Sequence, residues 1–403
     1  MALTGDPHGA PLLPATDLAT AADGAALAFS ILLKVFLSDD PGGGSSLGDT
    51  LDGAKLLGER GAVLGLKRGG QVTAGGSARL LPARDGWVAI GLRRADDVEL
   101  VPALIGRALA NAQDPWPELA EWLLGQNAGT AVERAQLLGL PAATRIDDPL
   151  VAERPWRLVD LDNAKLGWPW RRRPLVVDFS TLWAGPLATS LLLSAGVDVI
   201  KVESPDRPDG TRSGPDRFHD LLNAGKLSVA ARPDDPLVRE LIQRADLVVT
   251  SARPRALEQL GLVPAPGRSW LTVTGYGWTG PRRNWVAYGD DAAVAAGLLA
   301  GTEEQPVFCG DAIADPLTGL HAAVAALAVL ISGRSMHLDL SLHQVVAHLM
   351  AKLPAPGVQN HLDATGQSLA ELVVQAPTAR PSRGSAAPLG ADQNHPLVTG
   401  RPA

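Results

Sequence analysis

From Leu175 to Thr274 the chain repeats one pattern: a short apolar run, a turn, then apolar positions at helical spacing. The apolar runs are Leu175–Phe179, Val197–Val202, Ser228–Ala231, Leu247–Thr250 and Trp270–Thr274, with helical stretches at Leu187–Ala195 and Pro236–Ala245 between them. Continuous apolar runs are what strands buried on both faces require. Strands alternating with helices predict a Rossmann-like, doubly wound parallel sheet, so the fold class is α/β. Ligands of such sheets bind beyond the carboxyl ends of the strands. The turns that matter are therefore Leu182–Pro186, Glu203–Pro205, Ser251–Arg255 and Gly275–Gly280.

The first half follows another pattern. Helical spacing over Thr16–Leu33 and Asp49–Leu66 flanks Asp39–Ser46, whose Gly42-Gly-Gly44 reads as a surface loop or, less naturally without a preceding strand, a phosphate cradle. Ala78–Leu81 and Trp87–Gly91 around Pro82–Gly86 predict a hairpin. Helical stretches over residues 95–137 and a turn at Leu138–Ala143 leading into a short strand complete a smaller α+β domain, residues 1–154. Residues 155–174, with Trp156, Trp168, Trp170 and Arg171-Arg-Arg173, read as a connector, and the arginines as solvated or reaching a phosphate. Residues 175–354 form the large domain. Residues 355–403, rich in Pro, Ala and Gly, form a tail expected to wrap the surface and to be partly disordered.

Composition narrows the function classes. At 403 residues, 46% hydrophobic and 20% charged, the chain is globular, and its net charge of −7 without a basic run argues against nucleic acid as a partner. Cys309, the single cysteine, leaves no disulfide framework or cysteine metal cluster, and reads better as a buried thiol than as a nucleophile. The apolar run Leu320–Ile331 is short for a bilayer and holds His321, and the N-terminus shows no signal-peptide pattern, so the cytoplasm is the expected location.

Candidate chemistry concentrates in Val307–Gly319, which contains Asp311 and Asp315 and runs into the longest apolar stretch. Asp315 precedes Pro316, and proline favours the first position of a helix, so Asp315 reads as an N-cap. Capping alone explains it locally, and Asp311 is an equal rival for any chemistry. Glu203 stands where a dinucleotide fold places its ribose acid, but the turn after the first strand carries Gly185-Pro186 rather than Gly-x-Gly-x-x-Gly.

A series of short motifs gives the second half a sharper meaning. In order they are Val176-Val-Asp-Phe-Ser180 with Ala184-Gly-Pro186; Gly196-Val-Asp-Val-Ile-Lys-Val-Glu203; Leu222-Asn-Ala-Gly-Lys226; and Arg244-Ala-Asp-Leu-Val-Val249. Arg253-Pro254, Leu257-Glu-Gln-Leu-Gly261, Thr274-Gly-Tyr-Gly-Trp-Thr-Gly-Pro281, Ala314-Asp-Pro-Leu-Thr-Gly319 and His337-Leu-Asp-Leu-Ser-Leu342 follow. Together these resemble the family III CoA-transferases, the group that includes formyl-CoA transferase and α-methylacyl-CoA racemase.

The resemblance implies that Asp315 is the nucleophile. Its carboxylate would attack an acyl-CoA thioester to give an acyl-aspartyl anhydride, the CoA thiolate would return to form an aspartyl-CoA thioester, and an acceptor carboxylate would then collect CoA. That chemistry needs an ionised carboxylate sheltered from water, and N–H groups at a helix start would keep it ionised. No permanently bound cofactor and no metal are implied; the CoA thioester is substrate. The racemases carry a histidine where this chain has Tyr288, so racemase or isomerase chemistry is the alternative, together with a CoA-ester-binding partner protein that has lost catalysis. Asp290 and Asp291 match no family acid and read as solvated or capping.

CoA contacts implied by the family fall on Leu182, Trp183, Ser204, Ala231, Ser251, Ala252, Arg253 and Tyr288, with Arg255 a phosphate partner. Trp183 is bulkier than the family's residue, Ser251-Ala252 replaces Asn-Phe, and Leu227 replaces an arginine. Gly75-Gly76, Ala78–Leu81, Asp85–Ile90 and Leu138–Ala142 resemble the family's smaller domain, which normally follows the large one. That order implies a circular permutation or a remnant of a tandem duplication. The partners implied are acyl-CoA and carboxylate substrates and a second copy in an interlocked homodimer, with no nucleic acid and no membrane.

Overall fold

The computed structural model describes residues 2–14, 16–38, 51–111, 113–146, 154–165, 173–353 and 374–400. The loop read at Asp39–Ser46 and the arginines 171 and 172 lie outside them. The chain opens with helix α1 (Leu18–Ser38), followed by the short α2 (Gly53–Leu56) and α3 (Glu59–Leu64). The expected hairpin forms: β1 (Ala78–Ala83) pairs antiparallel with β2 (Gly86–Gly91), and β3 (Ala142–Ala143) extends it. Between β2 and β3 run α4 (Ala95–Glu99), α5 (Val101–Ile105), α6 (Trp116–Leu124) and α7 (Ala128–Leu137). Val88, Ile90, Leu104, Leu119, Leu123 and Leu140 are the centre of this unit's own core.

The stretch read as a connector is in fact structural. Trp156–Lys165 is strand β4, which lies antiparallel along a strand at the far end of the chain. Its composition of tryptophan and arginine bracketed by prolines hid the pairing, because the partner is distant in sequence.

The alternating half folds as its pattern predicts. β5 (Leu175–Asp178), α8 (Ala184–Ser194), β6 (Asp198–Glu203), α9 (Asp216–Asn223), β7 (Leu227–Ala230), α10 (Pro236–Arg244), β8 (Leu247–Thr250), α11 (Pro254–Leu260) and β9 (Ser269–Thr274) follow in order. Then come α12 (Gly289–Ala295), the two-residue strands β10 (Ala300–Gly301) and β11 (Pro306–Val307), α13 (Ala314–Ser332), β12 (Arg334–Ser341), α14 (Leu342–Lys352) and α15 (Pro396–Thr399). Among the described residues the main sheet has seven strands in the order β4-β12-β9-β8-β5-β6-β7. All its pairs are parallel except β12 with β4. One face carries a large core built with α1, α8, α13 and α14, and the other a smaller core closed by α10 and Val398.

Charge is buried inside the sheet's carboxyl end. Lys226 Nζ bonds Asp178 Oδ2 at 3.2 Å, Thr189 Oγ1 at 2.7 Å and the Pro186 carbonyl at 3.0 Å. Lys201 Nζ pairs with Asp209 Oδ2 at 2.9 Å and bonds the Ser180 carbonyl. Burial alone would raise the carboxyl of Asp178, but the ammonium groups of Lys226 and Lys201 outweigh it and hold it low. Burial lowers Lys226 to about 8 despite Asp178. Glu203 is occupied by Arg212, at 2.6 Å, and by the Asp209 N–H, so it presents no free carboxylate to a ribose.

The tail covers an edge. Ser228 N–H donates to Asp392 Oδ2 at 2.8 Å, Asp392 N–H returns a bond to the Ser228 carbonyl, and Gln393 bonds the Ala230 carbonyl, which closes the open side of β7. Arg380 pairs with the buried Glu59 at 2.7 Å. The described part of the tail, residues 374–400, is thus held by specific bonds, and residues 355–373 lie outside the described residues.

Helices α1 and α13 are both long and apolar enough, by length and composition, to cross a membrane. The run Leu320–Ile331 alone falls short, but the helix starts at Ala314 and reaches 19 residues. Protein surrounds 78% of the apolar window of α13 and 39% of that of α1, which leaves Leu27, Ile31 and Val35 exposed.

α13 packs directly on α8. A Cβ at Gly319 would lie 2.6 Å from the Ala184 carbonyl oxygen and 3.0 Å from Leu187 Cδ2, so only glycine allows this approach. Gly319→Ala is expected to cost about 1–3 kcal/mol by overpacking, read as a lower midpoint of thermal unfolding. An unchanged midpoint would mean that the two helices are free to separate.

Candidate active site

Asp315 is not the cap of α13. The helix begins at Ala314 with Ile313 at the N-cap, so Asp315 is its second residue. The preceding turn, with Ala312 at φ 44°, already presents a carbonyl to the Asp315 N–H at 2.9 Å, and this starts the helix before Pro316. The freed carboxylate reaches across to the start of α12, where its Oδ2 accepts from the Gly289 N–H at 3.0 Å.

Asp290 answers in the opposite direction. Its Oδ1 accepts from the Ala312 N–H at 2.7 Å, so the two helix starts are tied reciprocally. Asp290 and Asp291 are 3% and 0% exposed, which corrects the solvated reading for both. Asp291 does cap, accepting the Tyr288 N–H at 3.0 Å. Burial overrides the expectation for adjacent acids because Arg93 arrives from the end of β2: its Nη2 lies 3.1 Å from Asp290 and 3.7 Å from Asp291. The same guanidinium stacks on the Tyr288 ring at 4.4 Å and donates to Ser77 Oγ. Asp97 Oδ2 fixes the local backbone by accepting from the N–H groups of Arg93 and Arg94. On the other side Arg60 of α3 pairs with the buried Asp311 at 2.6 Å.

This crowd of carboxylates sets their proton affinities. Burial first, and then the charge of Asp290, push the Asp315 carboxyl up to about 7, against the pull of Arg93 and Arg60. Burial pushes Asp291 to about 7 and Asp311 to about 6 despite their arginines. The expectation that helix-start amides hold Asp315 ionised therefore fails: one N–H reaches it, and desolvation outweighs that bond. The Cys309 thiol is buried and pushed up to about 12, as an inert thiol should be.

The residues expected to meet CoA lie along the carboxyl edge in two groups. Leu182 holds a left-handed backbone, φ 70°, with its N–H on Asp209 Oδ1 at 3.1 Å and its side chain 37% exposed. Ser251 accepts the Thr181 N–H at 3.1 Å, which ties the β5 and β8 turns together, and the Ala252 N–H turns back to Thr250 Oγ1. Trp183 departs from its expected role. Its indole is 2% exposed and packs edge-on against Phe218 at 5.3 Å, so its bulk fills the core and leaves the ligand edge clear. The second group is Ser204, bridged to Arg207, and Ala231, which lines an open cleft of about 490 Å³ with Pro205, Ala230, Arg232, Asp235 and Pro236.

A group of guanidiniums gathers around Arg253. Partial burial, then the neighbouring charges of Arg207, Arg94 and Arg255, lower the proton affinity of Arg253. The Arg255 backbone N–H donates to Asn284 Oδ1, and the residue is exposed. Like charges gathered at a sheet's ligand edge suit an anionic ligand. Arg93, Arg94, Arg60 and Gly289 were not singled out in the sequence. The signal nearest to hand was a pair of adjacent acids inside the apolar stretch Val286–Ala300, where carboxylates need a partner.

The sequence profile of CoA-transferase family III matches residues 174–377, half of the chain. The chain belongs to CoA-transferase family III. Within the family it is 32% identical over 217 residues to a succinate–glutarate CoA-transferase of Agrobacterium fabrum, covering 45% of this chain and 54% of that one. It is 34% identical over 191 residues to the human succinyl-CoA:glutarate CoA-transferase, covering 41% and 44%. A crystal structure of a CAIB/BAIF family protein from Brucella suis is similar at 29% identity and a TM-score of 0.42, over 48% of this chain and 57% of that one. The family III chain thus spans about half the length of the relatives it matches.

Groups with raised carboxyl values take up protons on folding. Their cost to stability is absent below the ordinary carboxyl range and complete above about 7, so stability falls as pH rises through that window. Asp178, Asp209 and Glu203, held low, lose their contribution only further down. The unfolding midpoint should fall between about pH 5 and about pH 8, and Asp315→Asn should exceed the parent at about pH 8 by about 2 °C or more. Equal slopes in parent and variant would remove Asp315 as a source.

Proposed function

We propose that this chain transfers CoA between carboxylic acids, with Asp315 as the group that carries CoA between them. The observation that supports this most is the setting of Asp315: a half-buried carboxylate at a helix start, bonded to the Gly289 N–H, in a chain whose sheet edge gathers arginines around Arg253. Membership of family III, and relatives named as CoA-transferases for dicarboxylic acids, support the same reading.

In this reading an Asp315 oxygen attacks the thioester carbonyl and CoA leaves as thiolate. The thiolate attacks the aspartyl carbonyl of the anhydride, releases the donor acid and forms an aspartyl-CoA thioester. The acceptor carboxylate repeats the sequence in reverse, and Asp315 is regenerated. Anhydrides hydrolyse, so the site must be dry. Dryness also raises the carboxyl, and Arg93 and Arg60 keep an ionised fraction available near neutral pH. Arg253, with Arg94, Arg207 and Arg255, would hold the phosphates of CoA. Leu182, Ser204, Ala231, Ser251 and Ala252 would line its path, and Trp183 would contribute through backbone.

Racemisation needs a second base across the α-carbon. The charged groups acting on Asp315 are Asp290, Arg93 and Arg60, and the aromatic residue beside Gly289 is Tyr288, whose hydroxyl burial pushes away from ionisation. This favours transfer.

Incubation with an acyl-CoA should leave a hydroxylamine- or borohydride-trappable adduct on Asp315 by mass spectrometry. Asp315→Ala should lower CoA transfer by at least about 1,000-fold. No adduct across a broad thioester panel, with CoA bound and no transfer detected, would instead indicate a binding protein, and undiminished turnover in Asp315→Ala would remove Asp315 as the carrier. Arg253→Gln should raise KM for the acyl-CoA about tenfold and leave kcat nearly unchanged, the signature of lost uniform binding. A fall in kcat alone would move Arg253 away from the phosphates.

A further inference from the structure

Asp290 belongs to none of the motifs that carry the family resemblance, yet it touches the turn on which Asp315 depends. Its Oδ1 holds the Ala312 N–H at 2.7 Å, and Ala312 is one of two non-glycine residues with positive φ among the described residues. An alanine in the left-handed region is held there by its surroundings. The carbonyl of the same Ala312 receives the Asp315 N–H, so the turn sets where α13 starts and where its second residue points. The space is tight. A Cβ at Gly289 would fall 2.2 Å from the Ala312 oxygen and 2.5 Å from Asp315 Oδ2, so the two helix starts touch backbone to backbone.

The other carboxylate oxygen of Asp290 faces Arg93, at 3.1 Å. Arg93 is held in turn by Ser77, the Tyr288 ring and the backbone clasp of Asp97. A continuous chain of contacts therefore runs from the β2 end through Arg93, Asp290 and Ala312 to Asp315. The small apolar cluster of Leu80, Ala89, Val294 and Phe308 packs the hairpin onto α12 alongside it.

We propose that Asp290 is a positioning residue for Asp315: it fixes the Ala312 turn that aims the carboxylate and couples that turn, through Arg93, to the docked N-terminal hairpin. The inference rests on reading Asp315 as the CoA carrier. The charged groups around the pair are Arg93 after β2, Arg60 on α3, Asp311 before α13, and Asp291 and Asp290 on α12. Among these Asp290 alone bonds the turn and also adds negative charge beside Asp315. Without that charge Asp315 should ionise more easily.

Two variants separate the functions of the side chain. Asp290→Ala removes both the bond to Ala312 and the charge; Asp290→Asn keeps an oxygen for the amide and removes the charge. For Asp290→Ala we expect kcat for CoA transfer to fall about 100-fold, the scale of a displaced reacting group, with KM for the acyl-CoA within about twofold. Asp290→Asn should recover part of kcat, and the acid limb of its pH profile should move to lower pH. The Asp315 carboxyl resonance in protein labelled with 13C-aspartate, assigned through Asp315→Asn, should titrate at lower pH in Asp290→Asn than in the parent.

An unmoved Asp315 midpoint in Asp290→Asn overturns the proposal, as does an Asp290→Ala kcat within about threefold of the parent. Should Asp290→Ala fail to fold, the Asn variant and its titration decide alone. A parent protein that forms no Asp315 adduct with any thioester refutes the carrier reading instead, and the titration still judges the coupling.

Discussion

A carboxylate withheld from water must be balanced by something, and around Asp315 that balance is struck by two guanidiniums. Asp290, Asp291, Asp311 and Asp315 sit close together, three of them with almost no exposed surface. Left unpaired, such a group would protonate or drag water into the core. Arg93 and Arg60 offset part of this cost, and neither belongs to the half of the chain that matches the family profile. The N-terminal segments therefore complete an electrostatic unit whose acids all come from the α/β half.

The sheet beneath is organised by the same constraint. Lys201 and Lys226 are buried at its carboxyl end, each tied to an aspartate and to backbone carbonyls. Several residues that carry the family resemblance, among them Asp178, Lys201, Glu203 and Lys226, turn out to be members of this buried ionic layer. Their partners are neighbours in space, so they hold the turns of the ligand edge in place rather than face the ligand themselves.

Much of this was legible from residue patterns, and what was not has identifiable causes. Strands β5 to β9 stood out because fully buried parallel strands are continuous apolar runs. Asp315 was separated from Asp311 by its place in Ala314-Asp-Pro-Leu-Thr-Gly319. The cap assignment failed by two residues, because proline marks the first turn of a helix without fixing which residue precedes it, and a left-handed Ala312 is not legible locally. Trp156–Lys165 passed for a connector, since nothing in a strand's own residues names a partner on β12. Trp183 looked like an obstruction to CoA until its ring was found against Phe218. Asp290 and Asp291 passed for surface acids because their counter-ion sits 197 positions earlier for Asp290.

That separation carries over to the order in which the molecule can assemble. The long-range ion pairs join residues 197, 251 and 321 positions apart: Arg93 with Asp290 and Arg60 with Asp311 at the site, and Arg380 with Glu59 where the tail is fastened. Bringing such distant segments together costs loop entropy that only a nearly complete fold can repay. The strand–helix units around β5 to β9 close much shorter loops and are able to form ahead of them. The cluster of carboxylates around Asp315 therefore gains its two guanidinium partners only when the N-terminal segments and the α/β half have come together.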